Sequence, residues 1–410
     1  MKEIDKTLIE VRETIKIRDQ TLAWLRAFES ALAGGDEAGL TGLFTHDGNW
    51  RDILAFTWHL TPVLGAGAIA DGLLARQPAV GARGFAIAAG RTAPRRVKRM
   101  GRDCIEAIYS FETNVGRCAG LLRLVPATDG GGAAGLKATV ISTSLEELKG
   151  FEERIGDRRP SGAAYSRNFG GDNWADVRRK AQDYDDRDPT VLIIGGAQAG
   201  LSIAARLNQL GVDNLVVEQW PRIGDSWRKR YHSLALHNSI NVNHLPYLPF
   251  PPTWPTYIPK DMLGLWFEFY AQVMEVNHWT STEFTRGEWD EGAKRWVATL
   301  RMEDGSDRML RPRHIVFANG VSSYPLIPEI PGLDTFKGEV IHSEGFDSGA
   351  PYAGRNAIVI GTGSSANDIA LDLHSFGCRT TIVQRGSTTV VSIDPSAKLN
   401  YALYDEGPPI

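Results

Sequence analysis

Two glycine-rich segments carry residues suited to binding phosphate groups. The first, Gly195-Gly-Ala-Gln-Ala-Gly200, directly follows the apolar run Thr190–Ile194, and the second, Gly361-Thr-Gly-Ser-Ser-Ala366, follows Asn356–Ile360. A glycine-rich turn between a buried strand and a helix presents backbone N–H groups and the positive end of the helix dipole to an anion. Each segment therefore predicts a site for the pyrophosphate of a dinucleotide.

The residue after the next strand distinguishes the two sites. Glu218 lies 18 residues after Gly200, where a carboxylate accepts hydrogen bonds from a ribose diol and repels a 2′-phosphate. Arg385 lies 22 residues after Gly363, and its guanidinium suits a 2′-phosphate. The sequence thus predicts FAD or NAD at the first turn and NADPH at the second, with a surface ion pair as the alternative role of Arg385.

The candidate cofactor-binding residues of the two turns include one departure from the usual pattern. The second glycine of the first turn, which lets the backbone approach a pyrophosphate, is Ala197. A glycine-rich turn without a ligand is the alternative. The candidates are Gly195, Gly196, Ala197 and Gly200 in the first turn, and Gly361, Gly363, Ser364 and Ser365 in the second.

Three further segments resemble the flavin-containing monooxygenase family, the class B flavoprotein monooxygenases with two dinucleotide-binding domains. Gln219–Tyr231 is similar to the family's ExxxxxGGxW segment, with Gly224-Asp225 where Gly-Gly is usual. Phe336–Phe346 resembles the FxGxxxHxxx(Y/F) signature, and Ile315–Gly320 resembles the (A/C)TG strand with Asn in place of Thr. The resemblance covers about residues 188–400.

The resemblance implies roles for individual residues. Gly224 and Trp227 would pack on the flavin side of FAD, and Asn319 and Gly320 would return to the FAD-binding sheet. His342 would position the two domains, with a plain hydrogen-bonded loop histidine as the competing interpretation.

The resemblance also implies the reaction. His237 and Asn238 match the place where family members carry an Asn beside the flavin, and they are the candidate catalytic residues. An N,N-dimethylaniline monooxygenase-like enzyme would use NADPH to reduce FAD and molecular oxygen to form a flavin hydroperoxide. That species would oxygenate nitrogen, sulfur or a carbonyl of a small organic substrate, and no metal is expected.

Two rival functions are weighed against a monooxygenase. A disulfide reductase shares the two-turn layout but needs a redox cysteine pair, and no Cys lies between Cys118 and Cys378. The other rival is a truncated, inactive remnant that only binds nucleotide or dimerises. Only 25 residues follow Arg385 and the chain ends abruptly at Asp405–Ile410, so we expect a missing C-terminal portion.

The N-terminal part has a different pattern. Helical spacing over Thr21–Leu32 precedes three segments rich in β-formers, Arg96–Phe111, Thr113–Ala127 and Leu136–Glu146, which predicts an α+β domain. The run Trp50–Trp58 resembles the SnoaL-like (nuclear transport factor 2-like) cone fold over residues 15–150. The resemblance implies that such residues line an internal pocket, and ordinary core aromatics are the alternative.

Composition limits the remaining classes. A net charge of −4 over 410 residues gives no basic excess for nucleic acid, and the three cysteines are too scattered for a disulfide framework or zinc cluster. No apolar run is long enough to span a membrane, so we expect a soluble, cytoplasmic protein, with a homodimer as one candidate assembly. The predicted fold is an α/β region with Rossmann-like FAD and NADPH domains, preceded by an α+β cone-shaped domain. The predicted segments are residues 1–153 (SnoaL-like), 154–189 (linker), 190–350 (FAD-binding, incomplete) and 351–410 (NADPH-binding, incomplete).

Overall fold

The chain folds into two compact units that divide between Glu153 and Arg154. This computed structural model describes residues 2–99, 101–128, 132–162, 165, 168–321 and 324–393, with side chains from Val11 onward. The chain end at Asp405–Ile410 lies outside the described residues.

The first unit is a mixed sheet with helices before and between its strands. The strand order is β2-β1-β7-β6-β5-β3, and β4 also pairs with β5. All neighbours are antiparallel except β1 and β7. Its elements are α1 (Lys2–Gly34), α2 (Glu37–Gly42), β1 (Phe44–Ile53), β2 (Leu60–Leu64), α3 (Ala66–Val80), β3 (Arg83–Ile87), β4 (Arg95–Arg99), β5 (Arg102–Glu112), β6 (Gly116–Pro126) and β7 (Leu136–Leu148).

The α+β character of this unit matches the sequence prediction, with two differences in its elements. The predicted helix Thr21–Leu32 is the C-terminal part of the much longer α1. The segment rich in β-formers over Arg96–Phe111 forms most of two antiparallel strands, β4 and β5, and Gly101 has a φ of +78° in the turn between them.

Aromatic side chains fill the core of the first unit. Trp50 is 1% exposed and meets Phe56 edge to face, with ring centroids 5.7 Å apart, so it is a core aromatic. Trp58 is 55% exposed and therefore not a core residue. The difference arises because β1 ends at Ile53, and the following turn gives Trp58 a φ of +57°.

The described residues of the second unit form three sheets. A parallel sheet has the order β10-β9-β8-β14, an antiparallel sheet the order β11-β12-β13, and β15 pairs in parallel with β16. Its elements are α4 (Trp174–Asp183), β8 (Val191–Ile194), α5 (Gln198–Gln209), β9 (Asn214–Val217), α6 (Asp225–Arg228), α7 (Lys260–Val273), β10 (His278–Trp279), β11 (Glu283–Asp290), β12 (Arg295–Arg301), β13 (Asp307–Leu310), β14 (His314–Phe317), β15 (Asn356–Ile360), α8 (Ser364–Ser375) and β16 (Arg379–Val383). Both predicted strand–turn–helix–strand units are present, so the α/β Rossmann-like fold of this region matches the sequence prediction.

The segment predicted as a linker packs on the second unit. It contains the helix α4. Tyr184, directly after α4, is 2% exposed, and its hydroxyl donates to the backbone oxygen of Asn214 at 2.7 Å. The sequence did not reveal this packing, because the segment is largely polar and a single buried aromatic ring anchors its end.

Candidate dinucleotide-binding site

The first glycine-rich turn connects β8 to α5 at a close backbone approach. Gly195 has a φ of +108°, which disfavours any residue with a side chain. A Cβ on Gly200 would lie 1.9 Å from the backbone oxygen of Gly195, so this position also requires glycine. The turn therefore holds the N-terminus of α5 tightly against the strand.

Ala197 is compatible with this turn. It precedes α5 in an extended conformation, with a φ of −98°, which any L-residue adopts. The backbone therefore does not require glycine at this position, and Ala197 is partly buried and packs against the hydrophobic core of the second unit.

Glu218 follows β9 and faces the same turn. Its Oε2 accepts a hydrogen bond from the Gly196 N–H at 2.8 Å, and its Oε1 accepts one from the Trp220 N–H at 3.1 Å. The side chain is 6% exposed, and this burial raises the pKa of its carboxyl group. Because each carboxylate oxygen can accept more than one hydrogen bond, acceptor capacity remains for a ribose hydroxyl.

Two other predicted segments lie next to the first turn. β14 pairs with β8, and Ala318 donates from its N–H to the Ile194 oxygen at 2.8 Å, which brings Ala318 and Asn319 alongside Gly195. Gly320 directly follows Asn319. Trp227 donates from Nε1 to Oε1 of Gln198, the first residue of α5, at 3.2 Å.

Gly224 allows α6 to pack closely on α7. It has a φ of +89°, and a Cβ there would lie 2.2 Å from the Gly264 oxygen, so α6 can pack directly on α7. The Gly-Asp pair in place of Gly-Gly therefore keeps the glycine that the backbone requires.

The second turn connects β15 to α8 and is more open. Gly361 has a φ of +126° and donates from its N–H to the Val383 oxygen at 2.9 Å. Gly363 directly precedes α8, and a Cβ there would meet no atom within 4 Å. Ser364 and Ser365 are the first two residues of α8, and their N–H groups belong to its first turn.

Arg385 lies at the same edge of the β15–β16 sheet as the second turn. It is exposed and follows β16 by two residues, and the parallel pairing of β15 with β16 places it on the turn side. In the part of the chain that the structure describes, no carboxylate lies within ion-pair distance of its guanidinium.

His237 and Asn238 differ in their surroundings. Nε2 of His237 lies 3.0 Å from Oδ2 of Asp368, which belongs to α8. The same oxygen accepts a 2.6 Å hydrogen bond from the Tyr231 hydroxyl. Asn238 accepts a hydrogen bond at its backbone oxygen from the side chain of Asn243 at 3.3 Å.

Sequence reasoning missed Tyr231 and Asp368. A signal was available for Asp368. It lies three positions after Ser365 on the helix that follows the second turn, so the two residues share a helix face. Its partner, 137 residues earlier in the chain, had no local signature.

His342 makes a local contact. Its Nδ1 accepts a hydrogen bond from the Glu344 N–H at 3.2 Å, as the competing interpretation of a hydrogen-bonded loop histidine expects.

Among the residues whose placement is described, no group of three or more His, Cys, Asp or Glu side chains is arranged to hold a metal ion. Within the same residues, no helix has both the length and the apolar character that crossing a membrane requires.

The two turns fit dinucleotides. Each presents the N-terminus of a helix, at Gln198 and Ser364, to the edge of a parallel sheet. The acidic Glu218 lies at the first turn and suits a ribose without a 2′-phosphate. The basic Arg385 lies at the second turn and suits a ribose that carries one.

Comparisons with known proteins agree with this assignment. The family model for pyridine nucleotide-disulphide oxidoreductases matches residues 189–402. Over 204 residues the chain is 33% identical to the indole-3-pyruvate monooxygenase YUCCA1 of Oryza sativa subsp. japonica, covering 50% of this chain and 49% of that protein. It is 30% identical over 207 residues to a probable indole-3-pyruvate monooxygenase, YUCCA4 of Arabidopsis thaliana, with 50% and 49% covered.

A solved structure gives a similar match. The flavin-containing monooxygenase from Stenotrophomonas maltophilia aligns with a TM-score of 0.46 and 26% identity, over 50% of this chain and 60% of that chain. The chain spans about half the length of the curated relatives it matches.

Proposed function

The chain belongs to the pyridine nucleotide-disulphide oxidoreductase family, and on that premise we propose that it is a flavin-dependent monooxygenase that uses FAD and NADPH. One observation carries the proposal: two glycine-rich turns open two helices in one compact unit, with Glu218 beside the first and Arg385 beside the second. When bound, FAD supplies the oxygen-activating chemistry and NADPH supplies the electrons.

The first turn is the proposed FAD site. The N-terminus of α5 would bind the pyrophosphate, and Glu218 would accept hydrogen bonds from the ribose of the adenosine. Trp227 would exclude water on one side, because its ring is anchored to α5 through Gln198.

The second turn is the proposed NADPH site. The N–H groups of Ser364 and Ser365 would bind the pyrophosphate, and the Arg385 guanidinium would bind the 2′-phosphate. Asn319, Gly320 and His342 remain proposed cofactor-binding residues. Asn319 is supported by its position beside Gly195, and Gly320 directly follows it. The local contact of His342 supports a loop role equally well.

Disulfide reduction is disfavoured by the cysteines. Cys104 and Cys118 belong to the first unit, so Cys378 is the only cysteine of the second. Its Sγ donates to the Tyr352 oxygen at 2.9 Å, and the side chain is 3% exposed. A single buried thiol cannot form the cysteine pair that the reduction of a disulfide needs.

All three cysteines are free, which supports the proposed cytoplasmic location.

For the first unit we propose the SnoaL-like type, with aromatic side chains as part of its buried core. Trp24, Phe28 and Tyr109 are all fully buried. The buried carboxylate of Asp52 accepts hydrogen bonds from the backbone of Phe56 and Thr57 and from the hydroxyls of Thr57 and Thr143. A carboxylate with this many donors stabilises the turn after β1 and is not available for a ligand.

The decisive experiment is an absorption spectrum followed by cofactor turnover. Purified protein incubated with FAD and desalted should retain the flavin spectrum, and it should then oxidise NADPH faster than NADH with uptake of oxygen. Protein that remains colourless with excess FAD, or that consumes no oxygen, would refute the monooxygenase. Retained NADPH binding in that case would support the nucleotide-binding or dimerising remnant instead.

The substrate class can be tested in the same assay. The two plant relatives are named for indole-3-pyruvate, an aromatic 2-oxo acid. The assay should therefore compare an aromatic 2-oxo acid with a tertiary amine, a thioether and a cyclic ketone, with product detection by mass spectrometry. Oxygenation of the amine or thioether would support the N,N-dimethylaniline monooxygenase-like subtype, and oxygenation of a carbonyl compound alone would contradict it.

A further inference from the structure

A single carboxylate oxygen in the second unit joins two segments that approach the site from different parts of the chain. Oδ2 of Asp368 lies 2.6 Å from the Tyr231 hydroxyl and 3.0 Å from Nε2 of His237. Tyr231 and His237 follow α6, on the side of the first turn, whereas Asp368 belongs to the helix that the second turn opens. The three side chains therefore connect the two predicted cofactor sites.

The chemistry of the three groups determines where the protons lie. An ionised carboxylate only accepts hydrogen bonds, so the phenol of Tyr231 and Nε2 of His237 must both donate to Asp368. Burial and the neighbouring carboxylate raise the pKa of Tyr231, which keeps the phenol protonated. Neutral His237 therefore carries its proton on Nε2, and its Nδ1 is an acceptor.

Tyr231 is buried, whereas Asp368 and His237 are partly exposed. Tyr231 is 4% exposed and packs in a cluster with Phe346, Ile369 and Leu373. The Asp368 side chain is 28% exposed and that of His237 is 39% exposed. A ligand can thus reach the imidazole, whereas the tyrosine that orients the carboxylate is held by packing.

Asp368 lies on the helix that the second turn opens. Ser365 and Asp368 are three positions apart on α8 and so lie on one helix face. The carboxylate is therefore carried by the same helix whose N-terminal N–H groups would bind the pyrophosphate of NADPH.

We propose that Asp368 is a positioning residue that fixes His237 in the Nε2–H form and leaves its Nδ1 to accept a hydrogen bond from an N–H or O–H group of the bound cofactor or substrate. This inference rests on the proposed function for the identity of the ligand. The proton position itself is a property of the protein without cofactor, so it can be tested separately.

The test is ¹⁵N NMR of the histidine rings in the full chain without cofactor, at a pH of about 8.5, where an ordinary imidazole is neutral. The His237 signals are assigned by their loss in His237→Gln. The wild-type protein should show the long-range proton–nitrogen pattern of the Nε2–H tautomer. An Nδ1–H pattern or an equal mixture in the wild type would overturn the proposal without any further variant.

Two matched variants test the cause. Asp368→Leu keeps the branched shape of the side chain but removes the acceptor, and it should lose the pure Nε2–H pattern. Asp372 lies one turn further along α8, and its carboxylate accepts a hydrogen bond from the Gly349 N–H at 2.7 Å. The variant Asp372→Leu removes this carboxylate and should keep the Nε2–H pattern. An unchanged tautomer in a folded Asp368→Leu protein would overturn the proposal.

The outcome is separable from that of the proposed function. A protein that binds no FAD but shows the Nε2–H form only when Asp368 is present would refute the monooxygenase and support the positioning role. A protein that binds FAD and NADPH and shows the same His237 tautomer with and without Asp368 would do the reverse.

Discussion

The two glycine-rich turns contain the same kinds of small residue in a different order. Each has three positions at which dinucleotide-binding turns usually carry glycine. The residues at these positions are Gly195, Ala197 and Gly200 in the first turn, and Gly361, Gly363 and Ala366 in the second.

The difference follows from helix–strand packing. In the first turn the helix approaches the strand so closely that a Cβ on Gly200 would meet the Gly195 oxygen at 1.9 Å. In the second turn the equivalent residue is Ala366, and its methyl would be 3.9 Å from a Cβ built on Gly361. The lesson is that only the first position requires glycine for its backbone in both turns, and packing determines the third.

The largest effect is expected for Gly200→Ala. The new methyl would overlap a backbone oxygen that cannot move without opening the turn, so the second unit should lose about 3 kcal/mol of unfolding free energy. Urea unfolding followed by tryptophan fluorescence measures this. Ala366→Gly is the matched control in the second turn and should cost about 1 kcal/mol or less. Equal costs for the two variants would mean that the turns do not differ in packing.

The next largest effect is expected for Glu218→Gln. The amide can accept from only one of the two backbone N–H groups that now bind the carboxylate, so about 1–3 kcal/mol of stability should be lost. FAD should bind about ten-fold more weakly, as measured by fluorescence titration, because one charged hydrogen bond to the ribose is removed. Unchanged stability and FAD affinity would remove Glu218 from the site.

The same variant tests the pH dependence of stability. Burial raises the pKa of Glu218, so the folded protein binds this proton more tightly than the unfolded chain does. The contribution of the carboxyl group is therefore fully present below its unfolded pKa of about 4.3 and decreases as the pH rises through the higher folded value. The stability of wild type relative to Glu218→Gln should fall over this range in cofactor-free protein. A relative stability that rises with pH would contradict the raised pKa.

Arg385→Ala should affect the second turn alone. Loss of the guanidinium should raise the KM for NADPH about ten-fold or more, since a charge-assisted contact to the 2′-phosphate is removed, and it should leave the KM for NADH unchanged. Arg379→Ala is the control, because this exposed arginine begins β16 at the opposite end of the strand. Equal losses for the two variants would indicate a general effect of positive charge.

The sequence predicted the local parts of this comparison well. The helix expected after the first glycine-rich turn is α5 at Gln198–Gln209, and the one expected after the second is α8 at Ser364–Ser375. Glycines, apolar runs and the residue after each second strand are close in sequence, so their pattern determines these elements.

Long-range contacts could not be predicted in the same way. The Tyr231–Asp368 contact joins residues that are 137 positions apart in the chain. A tyrosine and an aspartate are both common at protein surfaces, so their residue types alone do not predict the contact. The exposure of Trp58 depends on the turn that follows β1, although the ring alone suggested a core residue. The role of Tyr184 depends on how its segment packs on β9, which sequence pattern does not encode.

The smallest effect on stability is expected for Gly363→Ala, and it separates folding from binding. Gly363 has a φ of −74°, and its Cβ would meet no atom within 4 Å, so unfolding free energy should change by less than about 0.5 kcal/mol. NADPH affinity should nevertheless fall several-fold, because the methyl would stand where the backbone approaches the pyrophosphate. Ala197→Gly is the complementary variant in the first turn and should strengthen FAD binding for the same reason. If Gly363→Ala binds NADPH as tightly as wild type, the second position does not limit phosphate approach, and the alanine already present in the first turn has no consequence for binding.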